Sequence, residues 1–397
     1  MKRILVLDGY IRNSVAIVRS LGKAGYPCDI LVQRHANGLY AALQRALRSK
    51  HAKRVFEVSG REEKSLIEEV LRILSSGEYS CVIAGGTFYS NFLSRNKQVL
   101  SPYAHVLMED YSKVSQVHNK ESCMELAARI GVNTPGTYRA YNSDDLKIIA
   151  EKTKGKVIVK FNDSYASKGL VKYDSTPEFF VQDYVSKFGF DHSDDNFPLI
   201  QQYIDGDLID STSFSVDGDP KAILTQKREM TAWLEGGGGI VNITNDVQSV
   251  KHQAAMLLRH LHWTGHVEMD WIREHDTGKC FLIEINPKFW GTTQLTISAG
   301  FNYPLWYVKL VQSQPIDYPE QYTLGLRYRW LNDELVAIMT QPKTLASFFK
   351  ELLKSLRRYG SSNTRANIFW ADLKPTIMDF IDASVLILAI WTGRKKV

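Results

Sequence analysis

The sequence predicts an α/β unit followed by an α+β region and a mostly helical tail, and three observations carry that expectation. Over residues 1–110, short β-branched runs alternate with amphipathic stretches, the pattern of βαβ units on a parallel sheet. After that the rhythm changes to longer strand segments broken by Asp-Gly turns. Beyond about residue 315, one strand stands among helical segments. A length of 397 residues, with 44% hydrophobic and 23% charged side chains, fits two or three soluble globular units that bury cores of their own.

In the first unit the strands are Arg3 to Leu7, Cys28 to Val32, Val55 to Val58 and Cys81 to Ala84. The helices between and after them are Ser14 to Lys23, Leu39 to Arg48, Glu62 to Leu74 and Phe88 to Arg95. The turn Asp8 to Asn13 lacks the G-x-G-x-x-G spacing that lets a backbone approach a pyrophosphate, so a dinucleotide cofactor is not supported. Gly85, Gly86 and Thr87 end the fourth strand and open a helix, where free N–H groups either hold an anion or simply make a tight turn.

The second region opens with a helix from Lys113 to Ile130 that stops at Gly131 before Thr134-Pro135-Gly136. A helix (Asp144 to Lys154), a strand (Lys156 to Phe161), a polar loop (Asn162 to Ser167), a strand (Gly169 to Tyr173) and a helix (Glu178 to Phe188) follow. Strands Leu199 to Ile204, Ser213 to Val216 and Ala222 to Thr225 are punctuated by Asp205-Gly206 and Asp217-Gly218. A helix from Val247 to His262 precedes two strands, His266 to Ile272 and Cys280 to Ile285, joined at Thr277-Gly278. A last strand spans Leu324 to Trp330, and no internal repeat is present.

Composition excludes several partners. Lys and Arg number 49 against 43 Asp and Glu, a net +6 with no long basic block, which argues against nucleic acid. The four cysteines, Cys28, Cys81, Cys123 and Cys280, show no C-x-x-C spacing and read as reduced core thiols of a cytoplasmic protein. Met1, Lys2 and Arg3 lead straight into the first strand with no signal segment. The longest apolar run, Val385 to Trp391, falls short of the ~18 residues a spanning helix needs. The chain end, Ile381 to Trp391 followed by Arg394, Lys395 and Lys396, either docks on the body or makes peripheral contact with a membrane.

The chemistry concentrates in the strand pair 267–271 and 282–287. Alternation puts Glu268 and Asp270 on one face of their strand, and Glu284 and Asn286 on one face of theirs. If the strands pair, acidic and amide oxygens converge, a costly arrangement unless a cation such as magnesium sits among them. Lys160 ends the run Val157-Ile158-Val159 and should emerge opposite Val159, where a phosphate could meet it. Leu199 to Gly206 is an apolar strand running into a turn, the kind of edge that offers a purine backbone groups and an apolar wall. The four glycines Gly236 to Gly239 read as a segment unable to hold strand or helix, either a flap over a site or a plain surface loop.

In this order the segments resemble the ATP-grasp superfamily: Asn119-Lys120 before a helix ending in Gly-Val-x-x-Pro, then Val157 to Lys160, Ile200 to Gly206 and Phe281 to Gly291. The resemblance is nearest to the carboligase-like group of carboxylate-amine ligases with a short carbamoyl-phosphate-synthase-type core. It implies an N-terminal Rossmann-like pre-ATP-grasp domain (1–110), a two-lobed ATP-grasp domain (111–315) and a mostly helical C-terminal extension (316–397). It also implies ATP and Mg2+ as cofactors, with Mn2+ as an acceptable substitute. By position, Lys120 and Lys160 would hold the ATP phosphates, Gln201 would face the adenine amino group and Ile204 would meet the ring. Asp270, Glu284 and Asn286 match metal ligands, with Glu268 behind them, while Lys227, Arg228 and Lys288 match the catalytic basic positions near the γ-phosphate or an acyl phosphate.

Three departures stand out. The loop 162–169 has one glycine, which shifts its phosphate grip onto Ser167 and Lys168. Lys288 replaces an arginine and loses its bidentate fork. The ribose-binding acid is Asp205, Asp207 or Asp210, with Asp207 taken as the candidate. The implied activity is an ADP-forming ligase that joins a small-molecule carboxylate to an amine or thiol through an acyl phosphate. The alternatives are a small-molecule kinase and a nucleotide-binding module without turnover. The tail from Tyr322 onward either completes the site or forms the surface of a homodimer.

Overall fold

The computed structural model describes residues 2–34, 48–60, 62–161, 170–193, 197–233, 236–341, 344–359 and 363–393. The helix expected over 39–48 falls largely outside these residues, and the loop 162–169, with Ser167 and Lys168, falls wholly outside them. The architecture is mixed α/β.

Strands β1 (Arg3–Leu7), β2 (Cys28–Gln33), β3 (Ala52–Val58), β4 (Tyr79–Ala84) and β5 (His105–Val106) form a parallel sheet in the order β3-β2-β1-β4-β5. Because helices cover both faces, β1 is apolar after Arg3: Leu5 and Leu7 enter one core with Leu66 and Val70 of helix Glu63–Leu74, and Ile4 and Val6 enter another with Val15 and Val18 of helix Arg12–Lys23.

The helix expected from Lys113 to Ile130 is two helices, Tyr111–His118 and Lys120–Arg129. Asn119 leaves helical geometry at ψ 119° and its side chain accepts a 3.0 Å bond from the Ser122 N–H, so it caps the second helix. The break sets Lys120 at that helix's first position.

A small antiparallel sheet follows, β6 (Thr137–Tyr138), β7 (Lys156–Lys160), β8 (Val171–Asp174) and β9 (Leu199–Gln202), in the order β6-β9-β7-β8. Val157, Val159 and Ile200 pack into a core with the helices Ser143–Thr153 and Pro177–Lys187. Lys160 is thereby left on the side away from Val159.

The third sheet contains β10 (Gly206–Val216), β11 (Asp219–Trp233), β12 (Gly236–Asn245), β13 (Gly265–Glu274), β14 (Cys280–Asn286), β15 (Arg327–Arg329) and β16 (Thr364–Ala366), in the order β14-β13-β10-β11-β12-β15-β16. β10 and β11 turn at Asp217 and Gly218, with φ of 48° and 79°, the pair of left-handed residues a tight hairpin demands. Gly236–Gly239, expected to hold no strand, lies in β12. Thr231 and Trp233 of β11 stand opposite Gly239 and Gly236, and irregular register between Arg228 and Trp233 absorbs the glycine run. The tail supplies two strands rather than one: β15 pairs with β12 and β16 with β15, so this part of the chain is stitched into the sheet. Helices Leu331–Thr340, Leu345–Tyr359 and Lys374–Trp391 complete it. Among the described residues, no helix is long and apolar enough to cross a membrane.

Candidate functional site

Pairing in the seven-stranded sheet turns the alternation of acids into two rows. Asp210 on β10, Asp270 on β13 and Glu284 on β14 stand directly opposite one another, and one step along the strands Thr212, Glu268 and Asn286 do the same. Met269, Trp271 and Ile285, at alternate positions, point into the core behind. Glu268, Asp270 and Asn286 are buried at 7%, 8% and 8% exposure. The expected convergence of Glu268, Asp270, Glu284 and Asn286 is thus present, and Asp210 joins it. Its burial takes it out of the choice among ribose candidates.

Carboxylate oxygens of Asp210, Glu268 and Asp270 lie within 4.8 Å of one another. Arg228 answers them: its Nη2 is 2.5 Å from Asp210 Oδ1 and 2.7 Å from Asp270 Oδ1, both at ion-pair distance. Asp210 also accepts 2.8 Å from Gln226 Nε2, which donates 2.7 Å to Thr292 as well. Burial, reinforced by neighbouring carboxylates, pushes Glu268 well above the ordinary carboxylate range and raises Asp210. Burial opposes the charge on Arg228, yet Asp210 and Asp270 outweigh it and hold the guanidinium firmly protonated. Asp210, Glu268, Asp270 and Glu284 crowd around one guanidinium and compensate by holding protons, a place that a further cation could take; the oxygen-rich donors of Asp270, Glu284 and Asn286 suit a hard divalent ion such as Mg2+.

On β7, Lys160 is 7% exposed and donates 2.9 Å to the carbonyl of Gln201 on β9, whose amide nitrogen donates 3.0 Å to Thr137. Burial lowers the Lys160 ammonium to about 8, with Glu284 opposing that shift and Lys120 adding to it. Glu284 in turn is raised by burial and by Asp270, and lowered by Lys120, Lys288 and Lys160. Lys120, Lys160, Lys288, Asp270 and Glu284 therefore form one electrostatic community although they come from separate elements. Lys288 also donates 3.0 Å to Thr87 Oγ1 at the start of helix Thr87–Arg95, tying the site to the parallel sheet. Gly85 and Gly86 beside it make a close-packed turn: a Cβ on Gly85 would lie 2.1 Å from Ser14 Oγ, and one on Gly86 2.5 Å from Asp8 Oδ2.

Lys227 and Arg228, expected to act together, are separated by strand alternation. Lys227 extends to the other face and pairs at 2.6 Å with Asp207, whose carboxyl it holds below the usual range. Asp205 is largely exposed at the strand junction, and Ile204 is buried there.

Two residues that sequence reasoning missed hold the site together. Asn13 is buried and its amide nitrogen donates 2.9 Å to Gly85 O and 2.8 Å to Phe289 O, linking the turns of the first sheet to the segment after Asn286. Arg12 donates 2.6 Å to Asp333 and 3.0 Å to Gly239 O, and lies 4.3 Å over the Trp330 ring. Gly291 gives it room, since a Cβ there would approach Arg12 Nη2 to 2.6 Å. No local pattern signals either residue, because their partners are far away in sequence. All four cysteines are buried, and burial pushes Cys28 and Cys123 up to about 12 and Cys81 up to about 11.

Residues 215–334 match a family described as ATP-grasp in the biosynthetic pathway with Ter operon. No curated protein matches the chain. Among solved structures, the biotin carboxylase domain of 2-oxoglutarate carboxylase from Hydrogenobacter thermophilus, a dimer complexed with MgADP and bicarbonate, is similar at TM-score 0.66 and 12% identity, over 82% of this chain and 73% of that one. Biotin carboxylase from Campylobacter jejuni gives TM-score 0.63 and 12% identity, over 82% and 74%. N5-carboxyaminoimidazole synthetase from Staphylococcus aureus gives 0.61 and 14%, over 82% and 80%.

Proposed function

Taking the chain as the ATP-grasp protein its fold and its matches make it, we propose that it is an ADP-forming ligase that activates a small-molecule carboxylate with ATP and transfers the acyl group to an amine. The observation that carries this reading is the meeting of two sets of buried ionisable groups that burial drives toward neutrality: Lys160, hydrogen-bonded to a neutral amide, and the acid rows, which outnumber their guanidinium. A triphosphate with a divalent ion satisfies both, and two of the similar structures hold ADP with magnesium or an ATP analogue.

Asp270, Glu284 and Asn286 would hold the magnesium, which when bound neutralises phosphate charge. Lys120 and Lys160 bind the phosphates, and their charge reaches Glu284. Arg228 holds Asp270 from the same face of the sheet and lessens the repulsion between the acid rows. Lys288, anchored on Thr87, is the cation on the segment after Asn286 that can meet an acyl phosphate. In the first step a substrate carboxylate oxygen attacks the γ-phosphorus, the bond to the β-phosphate oxygen breaks and ADP leaves. In the second, the amine attacks the acyl carbon, phosphate leaves and the amine loses a proton. The side chains only position and neutralise, which is where the rate would come from.

The test is product analysis with purified protein, Mg-ATP, pooled carboxylates and pooled amines. ADP and phosphate in equal amounts, dependent on both pools, are expected. Release of neither ends the ligase reading, and ADP without phosphate makes the protein a kinase.

A further inference from the structure

The site leaves the surface of the C-terminal helices unexplained. Helix Lys374–Trp391 buries Ala383 and Ile387 but exposes Ile377, Ile381, Val385 and Leu388 along its other side. With Trp370 these side chains line an open trough of about 550 Å³ that is almost wholly apolar. Trp370 is 84% exposed and Trp391 60% exposed. Helix Leu345–Tyr359 repeats the pattern, exposing Leu345, Phe349, Leu353 and Leu356 with Lys350, Lys354 and Arg357 beside them. Apolar faces of this size, in a part of the chain otherwise bound into a sheet, need a partner.

Charge says which. Residues 341–397 contain ten Lys and Arg against four Asp and Glu, so the whole +6 of the protein resides in this last segment and everything before it is neutral. Next to the apolar trough, and sharing Ile368 and Trp370 with it, is a pocket of about 280 Å³ lined by Arg19, Lys23, Lys50 and His51. Asp372 is the acid there, and it is already consumed by Arg19 at 2.7 Å, by Ser49 at 2.8 Å and by the Lys50 N–H at 2.8 Å. Lys23 and Lys50 are exposed, and among the described residues that line the pocket the one carboxylate is that of Asp372.

We propose that this face docks on an anionic phospholipid bilayer, with the trough and the exposed tryptophans at the acyl boundary and the Lys23–Lys50 pocket taking a lipid phosphate. Tryptophans prefer the level of the headgroups, and basic side chains are drawn to anionic lipid over about a Debye length. A helix lying in that interface buries one face without spanning, which agrees with the length and burial of Lys374–Trp391. A second copy of the chain is a poorer occupant, because a twofold contact would set the Arg19, Lys23 and Lys50 pocket against its own copy. The inference does not depend on the ligase reading.

Flotation of the full-length protein with vesicles tests it. Binding is expected to vesicles of equal parts phosphatidylcholine and phosphatidylglycerol, not to phosphatidylcholine alone, and to weaken as salt rises. The pair Lys23→Glu with Lys50→Glu, and separately Trp370→Ser, should each reduce binding about tenfold or more, while thermal melting stays at the parent value. The wild-type lipid and salt dependence tests the idea even if a variant misfolds. Absence of binding to the anionic vesicles, or equal binding to neutral ones, overturns it. So does a concentration-dependent dimer that Trp370→Ser abolishes, since the face would then be a self-association surface.

Discussion

The small antiparallel sheet and the seven-stranded sheet bury charge of opposite sign, and neither balances it alone. In the small sheet, Lys160 meets only the neutral carbonyl of Gln201 among its described hydrogen-bond partners, and burial draws its pKa down to about 8. In the large sheet, Asp210, Glu268 and Asp270 share Arg228, and burial draws Asp210 and Glu268 upward. Holding such groups in a protein interior costs several kcal/mol unless they are compensated. The difference teaches that the two halves are complementary: one is short of an anion and the other of a cation. Magnesium with a triphosphate supplies the two together.

The largest way to break this comparison is Glu284→Gln. It removes a charge with almost no change in volume, so circular dichroism should match the parent while ADP release falls by about a thousandfold or more. Parental activity would take Glu284 out of the site. Next comes Arg228→Met, which leaves Asp210 and Asp270 with no buried cation between them and should cost about 3–5 kcal/mol of stability. The sign with pH is fixed by the raised carboxylates. Their folded pKa lies above the unfolded value, so the folded state holds more protons, and stability falls as pH rises from the unfolded pKa through the folded one. Denaturant melts of the variant should therefore show recovery on going from neutral to mildly acid pH. A pH-independent loss would mean that Arg228 acts through packing.

The acid rows were legible because strand alternation is a strict rule: Glu268 and Asp270, like Glu284 and Asn286, had to share a face, and the hairpin register only had to bring them opposite. The same rule, applied to adjacent residues, should have separated Lys227 from Arg228, which positional resemblance had grouped. Asp210 was hidden because its burial depends on the pairing of β10 with β13, some sixty residues away in sequence. Arg12 and Asn13 were hidden for the same reason, since Gly239, Asp333 and Phe289 are all distant partners. The glycine run forms a strand despite glycine's weak preference for one, because β11 supplies the ladder. The split at Asn119 lay in a cap residue inside an otherwise periodic stretch.

A smaller effect sharpens the cationic half. With a pKa near 8, Lys160 is largely charged at neutral pH and loses its proton as pH rises, whereas a bound phosphate would favour the charged form. Nucleotide binding at pH above that value should take up a proton, and affinity should decline with further increase in pH. Calorimetry in buffers of different ionisation enthalpy measures the uptake. Lys160→Met should weaken ADP binding by about thirtyfold and erase the proton uptake, in keeping with the loss of a charge-assisted hydrogen bond. If proton uptake persists in that variant, another group carries the pH dependence.

The smallest expected effect concerns Asp207, the ribose candidate taken from the sequence, which lies on β10 beyond Ile204. It is about half exposed and paired with Lys227, with His275 Nε2 3.8 Å away. A surface ion pair of this kind contributes about 0–1 kcal/mol to stability, so melting alone says little about its role. If Asp207 receives a ribose hydroxyl, Asp207→Asn should raise KM for ATP by a few-fold to about tenfold, the range of one hydrogen bond to a charged group, and leave kcat nearly unchanged. The variant should also lose the preference for ATP over 2′-deoxy-ATP or 3′-deoxy-ATP, whichever hydroxyl is held. Lys227→Met separates the two roles: it breaks the ion pair without touching the carboxylate, so a ribose contact predicts that KM follows Asp207 and not Lys227. Equal shifts in both variants would make the pair a local brace at the start of β10, and the comparison between the two sheets would then rest on their buried charges alone.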